Sequence, residues 1–329
     1  MNITYLRSLA AGLSLSIVVA LAASYLSEHY GGPAMLFALL VGMAFNHLAD
    51  SDAMKAGITL ASKSILRTGV ALLGARITFE SIGSLGQSTV LLIISGVVVT
   101  IVAGYWIGRS LKMSSTLAIV SASAVAICGA SAALAVASVL PQNKHTEHST
   151  TLSVVAVTSL STLAMMFYPI IVGIAEMNDR SAGIFLGATI HDVAQVVGAG
   201  YTISTEAGDT SAIVKLLRVA CLFPAVVGIG LIFGRDHRAG QSRPQLVPWF
   251  LVAFIALVAL GSFGFIPPEP QSLMATASRW CLLIAVSALG VRTSLGELSA
   301  VGPLPLLAIV LQTLLLAILV FVVLTQTGL

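Results

Sequence analysis

The stretch "GATIHDVAQVVGAG" (residues 187–200) sets a histidine, an aspartate and a glutamine among apolar residues and three glycines. Whether those polar groups face water, lipid or protein decides the fold, and the composition identifies the solvent. The chain has 329 residues, 57% hydrophobic and 9% charged, against roughly 25% charged in a soluble domain. Its mean hydropathy of +1.00 is too high for one aqueous core, because a soluble protein of this size needs a polar surface. The bulk of the chain therefore belongs in a bilayer, and 187–200 is an ionisable pair inside a spanning segment.

A window of about 20 apolar residues crosses the hydrocarbon. By that rule eleven spans are predicted, near 8–26, 33–48, 60–77, 88–109, 115–139, 149–177, 180–203, 211–234, 247–266, 271–293 and 303–325. The expected fold class is all-α: one polytopic membrane domain over 1–329, with no room for a soluble domain in the longest linker, "GRDHRAGQSRPQLVP" (234–248). Arg7 ahead of an apolar run resembles a secretory signal, but the apolar stretch that follows at once makes an uncleaved first span simpler. With the N-terminus inside, cytoplasmic ends hold Arg7, Lys55, Lys63, Arg109, Lys112, Arg180, Arg235, Arg238, Arg243 and Arg292. Outer ends hold Arg76, Lys144, Lys215 and Arg279. That bias predicts an inner-membrane protein with a cytoplasmic N-terminus and an external C-terminus.

Two segments resemble each other. "SKSILRTGVALLGARITFESIGSLG" (62–86) aligns with "SRWCLLIAVSALGVRTSLGELSAVG" (278–302). Ser62/Ser278, Leu66/Leu282, Val70/Val286, Leu73/Leu289, Gly74/Gly290, Arg76/Arg292 and Gly86/Gly302 are identical pairs. The two segments lie an odd number of crossings apart, so they run in opposite directions. An inverted repeat of this kind is the expected architecture of many secondary transporters, whose sites form where broken helices meet at the midplane.

The candidate site follows from the polar residues left in the spans. His191 and Gln195, four apart, would share one helical face, with Asp192 about 100° round from His191. A buried aspartate in lipid is costly, so Asp192 should face protein or a wet cavity, as a substrate site or proton relay. Its bland alternative is a hydrogen-bonded packing role. "SASAVAICGASAALAVAS" (121–138) is nearly all small residues, with Ser123, Cys128, Gly129 and Ser131 around its middle. It reads either as a tightly packed helix or as an unwound turn offering free N–H groups to an anion. Arg67 and Arg218 lie deepest among the basic residues. Each could pair Asp192, neutralise a bound anion or snorkel to an interface; Arg67, one turn past Lys63, is the better anion partner, while for Arg218, a turn past Lys215, snorkelling is an equal alternative. Asn46 and His47 are expected only to cap the second span.

Several functions find no support. There is no basic run for nucleic acid, no zinc signature, no phosphate-cradling loop and no nucleophile elbow. His145 and His148 sit in a short polar loop and read as solvated. The three cysteines lie apart in apolar runs and read as packing residues. No cofactor, no metal and no enzymatic role are expected.

The motifs "CGASAA" (128–133), "HDVAQVVGAG" (191–200), "LLGARITFESIG" (72–83) and "LGVRTSLGELSAVGPLP" (289–305) resemble the YeiH-type membrane proteins, a family classed as sulfate exporters. The likeness runs from about residue 30 to the end. That family is similar to antiporter-like and bile-acid-symporter-like transporters with a crossed pair of broken helices. The resemblance thus implies that 121–135 and 187–200 are the discontinuous segments. It implies a secondary transporter of a small anion such as sulfate, coupled to H+ or Na+. The implied ligand-binding set is His191, Asp192, Gln195, Ser123, Cys128, Gly129, Ser131 and Arg67. A passive channel, or an intramembrane enzyme using the His–Asp pair, are the other classes. Gly183-x-x-x-Gly187 serves helix packing either within the chain or in a homodimer.

Overall fold

The computed structural model describes residues 3–233, 249–293 and 301–327. Every described element is helical. Seven helical stretches are long and apolar enough to cross a bilayer: 7–30, 55–73, 86–110, 144–174, 205–233, 268–292 and 303–327. Shorter apolar helices cover Ala34–Ala44, Ser115–Ala126, Val193–Ile203 and Trp249–Ser262. All eleven expected spans thus contain helix. The linker 234–248, with Arg235, Arg238 and Arg243, and residues 294–300 of the second similar segment lie outside the described residues.

In chain order the helices are α1 (Ile3–Tyr30), α2 (Ala34–Ala44), α3 (Lys55–Leu60), α4 (Leu66–Leu73), α5 (Phe79–Ser84), α6 (Gly86–Ser110), α7 (Ser115–Ala126) and α8 (Ala130–Ser138). There follow α9 (Lys144–Ile174), α10 (Asp179–Thr189), α11 (Val193–Ile203), α12 (Thr205–Ala220), α13 (Leu222–Phe233), α14 (Trp249–Ser262), α15 (Pro268–Arg292) and α16 (Pro303–Thr327). Helix starts follow local capping rules: the side chains of Ser114, Asn143 and Asn178 accept the N–H of Leu117, Thr146 and Ser181. Each satisfies a first-turn donor that has no partner within its helix.

The chain forms two compact units. The first comprises 1–85, 197–209 and 248–294. Its helices meet through glycine: a Cβ at Gly42 of α2 would lie 2.4 Å from the Ser287 carbonyl, and one at Gly290 of α15 lies as close to that of Leu39. Without side chains there, the α2 and α15 backbones touch. Asn46 caps a neighbour rather than its own span, donating to the Val291 carbonyl at the end of α15 (2.9 Å). Helices α3 and α4 are joined by a π-helical turn over Ala61–Ile65.

The second unit comprises 86–196, 210–247 and 295–329. Its surface is apolar, with Ile174 and Leu231 each 80% exposed, while Ser121, Ser153 and Gln312 are wholly buried. That is the pattern of a body immersed in hydrocarbon. Gly86 and Gly302, the last residues of the two similar segments, both have positive φ (+77° and +84°). Each stands at the start of a 25-residue helix, α6 and α16. Only glycine takes that conformation without strain.

Candidate functional site at two helix breaks

Two spans in the second unit are interrupted. The α7–α8 span breaks at 127–129 and the α10–α11 span at 190–192. The first break turns on Gly129, whose φ of +65° and ψ of −125° match the first central residue of a type II′ turn, a glycine position. The second leaves Ile190 extended. His191 is therefore not on α11, and the single helical face expected for His191 and Gln195 does not exist: the helix ends before the one and starts before the other.

Breaking a helix in lipid exposes carbonyls at one cut end and N–H groups at the other. The carbonyl ends of α7 and α10 converge on two cations of α12. Arg218 donates five hydrogen bonds of 2.8–3.1 Å, to the carbonyls of Val125, Ala126, Gly187 and Ile190. Lys215 Nζ donates to the carbonyls of Ile127 (2.7 Å) and Ile190 (3.0 Å). Both side chains are almost wholly buried, at 1% and 0% exposure. A helix C-terminus carries about half a negative charge, so each cation also meets favourable dipoles. Gly187 makes the approach possible, since a Cβ there would lie 2.5 Å from the Ser211 carbonyl of α12.

The N–H ends are treated differently. At α11, Asp192 Oδ1 accepts the Ala194 N–H (2.8 Å), acting as N-cap. Ser161 Oγ on α9 accepts the N–H groups of both His191 (3.1 Å) and Asp192 (3.0 Å). At α8 the capping position is Gly129, which has no side chain to offer. A Cβ at Gly129 would lie 3.7 Å from that of His191, so this uncapped end adjoins the second break. Ala130 is half-buried and Ser131 exposed, leaving the first turn of α8 accessible.

His191 bridges the two spans. Its Nδ1 lies 3.1 Å from the Val125 carbonyl and its Nε2 3.1 Å from Thr313 Oγ1 on α16. A carbonyl only accepts, so Nδ1 carries the proton, and a neutral ring then accepts the Thr313 hydroxyl at Nε2. Gln195, also wholly buried, donates Nε2 to Thr162 Oγ1 (2.7 Å), and its Oε1 has no hydrogen-bond partner among the described residues.

The remaining expected residues fall as follows. Cys128 is buried within the first break, in electrostatic range of Lys215, Arg218 and Asp192. Ser123 bonds within its own helix and the first break: its hydroxyl donates to the Ile119 carbonyl (2.7 Å) and its carbonyl accepts the Ile127 N–H. Arg67 is exposed and belongs to the first unit. The expectations for Arg218 and Lys215 are corrected: neither snorkels nor marks an outer end, because the severed carbonyls demand donors in the interior. Their three-residue spacing, which puts both on one face of an apolar helix, was the available signal. Ser161, Thr162 and Thr313 carried none, since hydroxyls are common in membrane helices.

The model of a family described as "Conserved hypothetical protein 698" matches residues 11–309. A UPF0324 membrane protein of Chlorobaculum tepidum is 45% identical over 312 residues, covering 94% of this chain and 87% of its own. The chain belongs to this family. Another UPF0324 relative, from Rhizobium meliloti, is 46% identical with 93% and 90% of the two chains covered. The UPF0324 membrane protein TauZ of Paracoccus pantotrophus is 44% identical with 94% and 93% covered. No solved structure matches. The match spans both helix breaks and the two basic residues of α12, from Val125 to Arg218, and ends before Thr313.

Proposed function

We propose that this UPF0324 protein is a secondary active transporter of a small anion, sulfate being the first candidate, driven by a proton or sodium gradient. The observation that carries the reading is the unequal treatment of the four cut helix ends. Both negative ends are met by Lys215 and Arg218, whereas the positive end of α8 has no side-chain cap among the described residues and adjoins His191. Backbone N–H groups at an open helix N-terminus bind anions, and the same dipole repels cations. The ligand set is His191, Asp192, Gln195, Cys128, Gly129 and Ser131, with Thr313 orienting His191.

In this reading the protein lies in the inner membrane with its N-terminus cytoplasmic and its C-terminus external, on the charge bias above. Alternating access moves one helix bundle against another. The test is flux of labelled sulfate in proteoliposomes holding the full chain, with and without an imposed pH or sodium gradient. Saturable flux that follows one gradient is expected, with the coupling lost in Asp192→Asn. Sulfate flux equal to that of protein-free vesicles, across both gradients, overturns the reading. Unchanged gradient-coupled flux in Asp192→Asn removes Asp192 from the coupling.

A further inference from the structure

The motif Asp192-x-x-Gln195 has the form of a capping box. In such a box the N-cap side chain accepts an N–H of the first turn, and the side chain three residues on reaches back to accept the N–H of the N-cap residue. At the second break only half of the box is closed. Asp192 Oδ1 accepts the Ala194 N–H (2.8 Å), but the Asp192 N–H goes to Ser161 Oγ of α9 (3.0 Å) instead of to Gln195. The wholly buried Gln195 Oε1 is left without a hydrogen-bond partner among the described residues. Its orientation follows from its neighbour. The Thr162 hydroxyl donates to the Thr158 carbonyl (3.2 Å), so it accepts from Gln195, and the NH2 of the amide rather than its oxygen meets Thr162. Two acceptors, Ser161 Oγ and Gln195 Oε1, are thus provided for one donor.

We infer that the second break has two hydrogen-bonded states: the one seen here, held to α9 by Ser161 and Thr162, and a released one in which Gln195 closes the box on the Asp192 N–H while a bound anion accepts the His191 N–H. Gln195 is then a positioning residue of the site, and the His191 main chain is one of its anion donors. This deepens, and rests on, the anion-transporter reading.

The exchange conserves hydrogen bonds only when an anion is present. In the held state Ser161 Oγ accepts the N–H groups of both His191 (3.1 Å) and Asp192 (3.0 Å). On release Asp192 passes its N–H to Gln195, and the Ser161 hydroxyl can turn to the carbonyl four residues earlier, as those of Thr162 and Thr189 do. The Gln195 NH2 leaves Thr162 in the same step and is carried to the helix N-terminus. The His191 N–H has no substitute within α11, because His191 precedes the N-cap. A buried donor without an acceptor is costly, so the empty site stays held, and an anion oxygen supplies what release lacks. The position fits. A Cβ at Gly129, the uncapped start of α8, would lie 3.7 Å from the His191 Cβ, 3.9 Å from its carbonyl carbon and 3.6 Å from Val157. Val157 is one turn before Ser161 on the same face of α9. An anion on the first turn of α8 therefore adjoins both the His191 main chain and the Ser161 face. A ligand that binds only the released state draws the break off α9, which is the kind of two-state element that alternating access requires.

The experiment measures sulfate affinity by calorimetry on the full-length protein in detergent, for the unaltered chain and three variants. Gln195→Leu removes the latent cap, Ser161→Ala the acceptor that competes with the anion, and Thr162→Val the group that keeps Gln195 on α9. Gln195→Leu should weaken sulfate by about two- to tenfold, the worth of one hydrogen bond. Ser161→Ala should tighten it by a similar factor, and Thr162→Val should also tighten it, because each removes a bond made only in the held state. A Gln195 that served packing alone would make Gln195→Leu and Thr162→Val act alike, since both break the same bond. Gln195→Met serves if the leucine variant does not fold. Unchanged affinity in Gln195→Leu, or weakening in Ser161→Ala or Thr162→Val, overturns the inference and leaves anion transport standing. No sulfate binding by the unaltered protein overturns both.

Discussion

Replacing Arg218 by methionine should be among the most damaging single changes in the protein, for a reason that can be worked from its partners. Arg218 serves four carbonyls. Two keep a donor when it is gone: Ile190 retains Lys215 and Val125 retains His191. Those of Ala126 and Gly187 lose the one side-chain donor they have, in a wholly buried setting. An orphaned buried carbonyl costs about 1–3 kcal/mol, so the pair costs roughly 2–6 kcal/mol, a large part of a typical stability of about 5–15 kcal/mol. At about 2 °C per kcal/mol for a large chain, the melting temperature should fall by roughly 4–12 °C. Arg218→Lys should recover part of that, since an ammonium keeps the charge but has three donors where the guanidinium has five. Thermal unfolding in detergent, followed by tryptophan fluorescence, measures the shift, with the exposed Arg67→Met as the control expected to move little. If Arg218→Met melts within a degree of the unaltered protein, the carbonyl clamp is not what holds the two breaks.

Gly129→Ala places a side chain in a conformation reserved for glycine and should destabilise by roughly 1–3 kcal/mol. There is space for the methyl, its nearest neighbours being 3.6 and 3.7 Å away, so the loss should be in melting temperature without gross misfolding by circular dichroism. Gly187→Ala is a different case: its Cβ would meet the Ser211 carbonyl at 2.5 Å, and the resulting displacement of α12 should weaken sulfate binding as well as stability. Gly290→Ala should lower the melting temperature by forcing α15 away from α2. The Cys128 thiol, 6% exposed, should resist maleimide in the native protein, and Cys221 and Cys281 should be modified faster. Mass spectrometry of timed samples distinguishes the three.

Much of the helical plan was legible because hydrocarbon imposes it: a run of about 20 apolar residues has few other fates. The polar residues that matter were partly legible for the same reason. His191, Asp192 and Gln195 stand out because lipid tolerates so few such groups. What could not be read was the partner of each. Arg67 and Arg218 look equivalent in sequence, each a basic residue one turn from a lysine within an apolar span. In the structure one is exposed and the other holds four carbonyls.

The composition and spacing along the chain determined that the protein is helical, lies in a membrane and keeps ionisable groups inside two small-residue segments. Those are consequences of the solvent and of local periodicity, which act over a few turns. Tertiary structure alone decided that the segments break at 127–129 and 190–192, that their carbonyl ends meet, and that Lys215 and Arg218 close them while Gly129 leaves the opposite end open. Those bonds join residues 25 to 93 positions apart. A carbonyl freed by a helix break takes whichever donor packing brings within 3 Å, and nothing in the neighbouring sequence names that donor.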